Sequence, residues 1–385
     1  MALHDLRRAT LVLIGAEARR HREREQTAAL LRQCSPAAAL DYWSWNRVTA
    51  LAVLRAQELG VEHATWNAAR QQAARHATDA ARTTELGAMV LTRLLHDAEI
   101  DVLCLKGPLL ARALYGDPAH RAASGDIDLL VAKRDFSRAS AIIASQGWRP
   151  QEEPLTHGSL PERHQRLEPA GSGPRVELHW RTQLYDETLH TDGLLRRGIR
   201  DRSDGGLPLL TPSLPDALAM LLLDWLRDGI HRLRQPADIA TLLDLGGAGV
   251  LDEAIGGLPP VLHGPAQQAA SVLLPMLGFP AASADHRANA LLTRLAACDR
   301  ALGDPQRRAR IAVAVLASSP AGTRRARLRS LYEHAARKVI EAPAATVAPA
   351  PVLRTASAAR LAARAGLELA HAFATTPRAT PTEAR

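Results

Sequence analysis

Along the first hundred residues, apolar side chains recur at three- and four-residue spacing, the period of a helix with one buried face. The stretch "DYWSWNRVTALAVLRAQELG" (41–60) keeps that spacing and ends on a glycine. "ATWNAARQQAARHATDAARTTELGAMVLTRLLHDAEI" (64–100) reads as one long helix or two. The period then shortens. "DVLCLKG" (101–107) is a short apolar run closed by Gly107, which suits a strand. "PLLARALYG" (108–116) opens with a proline at the first helical position and closes with a glycine. "DIDLLV" (126–131) predicts a second strand, "RDFSRASAIIASQGW" (134–148) a helix stopped by Gly147, and "PRVELHW" (174–180) a third strand. The pattern is that of a small α/β or α+β domain. From Thr211 the helical period returns, in "TPSLPDALAMLLLDWLRDGIHRL" and "PADIATLLDLG" (236–246), and persists to about residue 340.

These shifts predict four regions: a helical segment at 1–99, a mixed domain at 100–185, a second helical segment at 186–340, and a tail at 341–385. The tail opens with the Pro/Ala-rich "EAPAATVAPAPV" and is expected to be a linker followed by a short helix at 357–373 and a disordered end.

Composition changes this picture little. The chain has 385 residues, 46% hydrophobic and 23% charged, as a soluble globular protein does, and the scarcity of aromatics (3%) beside abundant Ala and Leu favours helix. No run reaches the roughly 20 apolar residues of a membrane span. The opening "MALHDLRRATLVLIG" has only a short apolar run preceded by an acid, so no secretory signal is expected there. Cys34, Cys104 and Cys298 are scattered and form neither a disulfide framework nor a metal cluster, which makes a reducing cytoplasm the expected compartment. Charge is uneven. Of the net +8, the segment from Asp304 onward holds 14 Lys/Arg against 5 Asp/Glu, leaving 34 of the 48 basic residues against 35 of the 40 acids before it. "RRAR" (307–310) and "RRARLR" (324–329) could contact nucleic acid, but no aromatics interleave with them, and a solvated helix face is the preferred reading.

The chemistry is concentrated in "GDIDLLV" (125–131). Residues two apart on a strand share a face, so Asp126 and Asp128 project together. Two neighbouring carboxylates repel unless a cation lies between them, and a hard divalent ion with oxygen ligands is the natural one. Glu177 in "RVELHW" is placed to be a third acid if Val176 and Leu178 face the core. Three carboxylates on adjacent strands suit a two-metal site for phosphoryl transfer. Gly107 and the start of the following helix form a second element, where backbone amides and Lys106 could hold phosphate.

Taken in order, these elements resemble the nucleotidyltransferase superfamily with the DNA polymerase β-like fold. More narrowly, the chain looks like the bacterial group described as uncharacterised nucleotidyltransferases, through "LKGPLLARALYGDP", Arg121 ahead of "GDIDLLV", "QGW", "ELHW" and the "PADIATLL" element around Asp238, over residues 40–245. The resemblance implies an α+β fold, with a small nucleotidyltransferase-like mixed sheet flanked by N- and C-terminal helical regions. It makes Asp126 and Asp128 the metal pair, Glu177 the third acid and Lys106 with Gly107 the phosphate contact. Two Mg²⁺ ions and an NTP, ATP in the first instance, follow, with a small molecule, peptide or protein as acceptor. Pro108 stands where the superfamily has Ser or Gly, so phosphate binding would rest on Lys106 and the amides of Leu109 and Leu110.

Arg121 has two readings of equal weight, a contact to the triphosphate or a partner of Asp126. His179 shares the face of Glu177 and is expected to bond a backbone carbonyl. Tyr115 is expected to pack, and Asp238 either to cap its helix or to bridge back to the mixed domain. His231 and Asp224, seven apart on one helix, lack a third ligand for a metal. Two rival functions use the same residues: a non-catalytic nucleotide sensor or scaffold, and an RNA-modifying nucleotidyltransferase working through the basic tail.

Overall fold

The structure is a computed structural model that describes residues 3–151, 155–157, 160–161, 164–182, 191–202, 208–227, 232–247 and 249–280. The chain groups into one compact unit of residues 1–225 with 232–284 and another of 226–231 with 285–385; the elements below belong to the first, apart from the last two residues of one helix. The expected tail, its linker and its short helix lie outside the described residues, as do His231 and Cys298.

Six helices come first: α1 (Leu3–Ile14), α2 (Glu17–Arg22), α3 (Arg24–Arg32), α4 (Pro36–Trp45), α5 (Thr49–Glu58) and α6 (Ala64–Asp97). The mixed region follows with β1 (Val102–Cys104), α7 (Pro108–Tyr115), β2 (Asp126–Val131), α8 (Phe136–Ser145), β3 (Trp148–Pro150), β4 (Leu155–His157), β5 (Leu160–Pro161), β6 (His164–Pro169) and β7 (Arg175–His179). Next come α9 (Thr191–Arg197), the hairpin β8 (Ile199–Arg202) and β9 (Pro208–Thr211), then α10 (Leu214–Arg227), α11 (Arg234–Gly246), α12 (Val250–Gly256) and α13 (Pro260–Leu277). The fold is α+β, as the sequence predicts.

Two expectations are refined. The stretch 41–60 is two helices, because Asn46 turns its amide back to the Tyr42 carbonyl (2.9 Å) and Arg47 takes a positive φ of 58°, which ends α4 before α5 starts. The stretch 64–100 is one helix of 34 residues, with Trp66, Ala77, Ala81, Thr84, Ala88, Leu91 and Leu95 on its buried side. In the N-terminal bundle Trp43 and Trp66 meet edge to face at 4.9 Å. Each indole N–H finds an acceptor at 3.0 Å, Thr10 Oγ1 for Trp43 and the Pro36 carbonyl for Trp66, as buried indoles require.

The main sheet has the order β1-β2-β7-β6-β3. Its β2–β7 pair is parallel, while β1–β2, β6–β7 and β3–β6 are antiparallel. One face is apolar: Ile127, Leu129 and Val131 of β2, Val176 and Leu178 of β7 and Leu167 of β6 pack on Ala88, Leu91 and Leu95 of α6 and on Phe136, Ala139 and Ile143 of α8. Each such fully buried Leu or Ile contributes roughly 1.5–3 kcal/mol. Strand alternation therefore sends Asp126, Asp128, Glu177 and His179 to the opposite face. Gly147, at φ 94°, ends the α8 segment as predicted, and Cys34 and Cys104 are free thiols. Burial pushes the Cys104 thiol up to about 11, so it is chemically quiet at neutral pH.

A buried ion pair ties α11 to this domain. Arg121, in the loop before β2, grips Asp238 of α11 with Nε and Nη2 at 2.8–3.0 Å, and the Tyr115 hydroxyl at the end of α7 donates to the same carboxylate at 3.0 Å. Both charged side chains are within 5% of full burial. Burial by itself lowers the Arg121 pKa, but the adjacent Asp238 more than reverses this; burial, then Asp238, pushes the Tyr115 phenol well up. Asp238 thus bridges back to the mixed domain. The partner of Arg121 is Asp238 rather than Asp126.

Removing one member leaves the other charge buried and alone. Asp238→Ala is expected to cost about 3–5 kcal/mol, and Tyr115→Phe about 1 kcal/mol, in urea unfolding monitored by circular dichroism.

Candidate active site

The site is set by register. Asp128 on β2 lies directly across the parallel pair from Glu177 on β7, with Asp126 opposite Arg175 and Leu130 opposite His179. On the far side, β6 places Arg166 against Glu177 and His164 against His179. The polar face of the sheet therefore carries acids at its centre and bases beyond them. Asp128 is nearly buried and Glu177 mostly so, while Asp126 at the strand's start is 39% exposed.

Basic side chains fill the spaces between these acids. His179 Nε2 lies 3.1 Å from Asp128 Oδ1 and 3.7 Å from Glu177 Oε2. Arg166 Nε stands 3.5 Å and His164 Nε2 4.0 Å from Glu177 Oε1. Arg175 reaches Asp126 at 3.8 Å and Glu168 at 2.6 Å. The expected backbone carbonyl partner of His179 gives way to Asp128: the histidine sits one pleat along from Glu177 on the same face, opposite Leu130, and its Nε2 reaches back to the carboxylate that lies across from Glu177.

Lys106 arrives from the other side. The Leu105 amide donates to the Asp128 carbonyl at 3.0 Å, prolonging the β1–β2 pairing by one residue. Lys106 comes next, and its Nζ lies 4.0 Å from Asp128 Oδ1 and 3.3 Å from Asp224 Oδ2 of α10. Gly107 then turns the chain into α7 with φ 86°, a conformation that favours glycine, and Pro108 occupies the first helical position. The amides of Leu109 and Leu110 belong to the first turn of α7, whose N–H groups have no partner within the helix. Arg112 of α7 pairs with the buried Glu85 of α6 at 3.0 Å, which fixes the helix beside the sheet.

The structure thus brings Asp126, Asp128, Glu177, Lys106 and Gly107 to one end of the sheet. Arg121 stands behind it, committed to Asp238. Sequence reasoning overlooked Asp224 as a neighbour of Lys106, and nothing local in α10 marks it.

The tightest cluster is Asp128, Glu177 and His179, whose donor atoms lie within 4.8 Å of one another. It is the one such group among the described residues. Two carboxylates with an imidazole fit a divalent cation: the oxygens suit a hard ion such as Mg²⁺, and the imidazole is also accepted by Mn²⁺ or Zn²⁺. His179 Nε2 either donates to Asp128 or gives its lone pair to a metal, so the two uses exclude each other.

A family model for uncharacterised nucleotidyltransferases matches residues 35–254. The chain belongs to that family. No curated protein matches. Among solved structures, an antigenic nucleotidyltransferase-like protein from Paracoccidioides brasiliensis is similar at 19% identity, over 50% of this chain and 88% of that one, with a TM-score of 0.36. Among the described residues, no helix is long and apolar enough to cross a membrane.

Burial, then the charges of Glu177 and Asp128, hold the Asp126 carboxyl above the ordinary range. A carboxylate with a raised folded pKa binds protons that the unfolded chain has released. Its contribution therefore weakens the fold as pH rises from the unfolded pKa through the folded one. Glu177→Gln is expected to bring Asp126 back toward its ordinary value and to flatten that part of the stability–pH curve, as read by carboxyl carbon NMR titration of the metal-free protein; an unchanged Asp126 titration would contradict the coupling.

Proposed function

We propose that the protein transfers a nucleoside monophosphate from an NTP, ATP in the first instance, to an acceptor hydroxyl or phosphate, with release of pyrophosphate. The acceptor is a small molecule, peptide or protein. The observation that carries the reading is the pairing of Asp128 with Glu177 across parallel strands, beside Lys106 and the Gly107 turn, in a chain of this family.

In this reading Asp126, Asp128 and Glu177 hold Mg²⁺, two ions in the full complement. Bound there, the ions would neutralise the phosphates and lower the pKa of the acceptor hydroxyl. The chain's own groups do the rest. Lys106 and the amides of Leu109 and Leu110 orient the β- and γ-phosphates, and Pro108 stiffens their approach. Asp126, the most open of the three acids, is the group best suited to take the acceptor's proton. The acceptor oxygen then bonds to the α-phosphorus, the bond from that phosphorus to the bridging oxygen breaks, and the electron pair leaves with pyrophosphate. Arg121 enters as the brace of the loop ahead of β2, not as a phosphate contact.

One feature favours a second reading, a nucleotide-binding module without turnover. Proline at position 108 removes an amide hydrogen from the turn where phosphate would be held. Calorimetry that finds Mg²⁺-dependent ATP binding without any consumption of ATP would support it.

Incubation with α-labelled NTPs and a panel of acceptors, or of cell extracts fractionated by size, tests the transferase. Label is expected to transfer in Mg²⁺ and to fall at least a hundredfold in Asp128→Asn and Glu177→Gln, while Lys106→Ala raises KM for the nucleotide more than it lowers kcat. Transfer that survives Asp128→Asn intact would reject this assignment.

A further inference from the structure

Lys106 has its nearer charged neighbour outside the sheet, on α10. Its ammonium stands between two carboxylates that are each less than a tenth exposed, Asp128 at 4.0 Å and Asp224 at 3.3 Å. The shorter distance is to Asp224. Attraction between opposite charges grows as they approach and as water is excluded, so the balance of these two distances decides where the ammonium rests.

We propose that Asp224 is a positioning residue that draws Lys106 off Asp128, keeping Asp128 open to a divalent cation and the ammonium turned toward phosphate. This rests on the reading of Asp128 as a metal-holding carboxylate. A lysine at the mouth of an acidic cluster is otherwise a liability: it competes with the metal for the same oxygens. With Asp224 neutral, the ammonium would settle on Asp128 and occupy the place of the cation. With Asp224 charged, the lysine has a second anchor on α10, 118 positions further along the chain, and need not neutralise Asp128.

The role differs from that of a structural ion pair because it gives the two residues opposite effects. Asp224 favours metal binding at Asp128 and Lys106 opposes it. Neutralising Asp224 should therefore weaken metal affinity only while Lys106 is present.

The test is a double-mutant cycle read by binding of Mn²⁺ alone, followed by electron paramagnetic resonance on the full chain. Asp224→Asn is expected to weaken Mn²⁺ binding about tenfold, the size expected for displacing one charge-assisted bond. Lys106→Met is expected to bind Mn²⁺ at least as tightly as the unmodified protein. The Lys106→Met/Asp224→Asn double variant is expected to recover to within about threefold of it. Asp224→Glu, which keeps the charge, is expected to bind normally and guards against reading a folding defect as a loss of metal. An equal loss from Asp224→Asn in both backgrounds, or no loss in either, overturns the proposal. A chain that transfers label normally yet shows no coupling between the two positions loses the tether and keeps the transferase. A chain that neither transfers label nor binds Mn²⁺ loses both.

Discussion

Everything at this site depends on forcing two acids into the same small space. The parallel pairing of β2 with β7 sets Asp128 against Glu177 at a point where the first is buried and the second mostly so. Left alone, such a pair would resist folding. The sheet accepts it because Arg166 from β6 and Lys106 from the end of β1 bring positive charge, while His179 from the same strand as Glu177 and His164 from β6 bring ring nitrogens close to the acids. The polar face is thus an arrangement in which basic side chains surround a central pair of acids.

The second constraint is mechanical. The loop that leads into β2 has to present Asp126 and Asp128 at the right height, and it is held from behind by the Arg121–Asp238 pair. That pair also seats α11 and, through Tyr115, the end of α7. One buried carboxylate therefore fixes the relative placement of the acid strand and the helix whose first turn faces it. Such a pair adds little net stability over a well-packed apolar substitute, but it defines a single geometry for the elements it joins.

Much of this was legible from the residue pattern, and the failures have physical causes. β2 and β7 are visible because apolar residues alternate with acids and because one face of each must be buried; α7 and α8 are visible because proline and glycine mark their ends. That Asp126 and Asp128 share a face, and that Glu177 turns away from Val176 and Leu178, follows from a two-residue period; that the two strands adjoin does not. By contrast, β6 reads "HQRLEP", with a single apolar residue that is fully buried, so no alternation announces it, although it supplies Arg166 and His164. The break between α4 and α5 turns on one side-chain amide and one positive φ, neither of which disturbs the hydrophobic period. The partners of Lys106 and Arg121 lie 118 and 117 positions away, and local spacing carries no trace of them.

The parallel register has a further consequence in time. Adjacent parallel strands cannot be joined by a tight hairpin, and 49 positions separate Asp128 from Glu177. Closing a loop of that length precedes any contact between the two. In a growing polypeptide the first carboxylate is therefore made long before its counterpart. Until β7 emerges and docks, Asp126 and Asp128 stand without Glu177, and the cluster of three acids is incomplete. Synthesis of the chain and completion of its acidic cluster are separate events, ordered by the topology of the sheet.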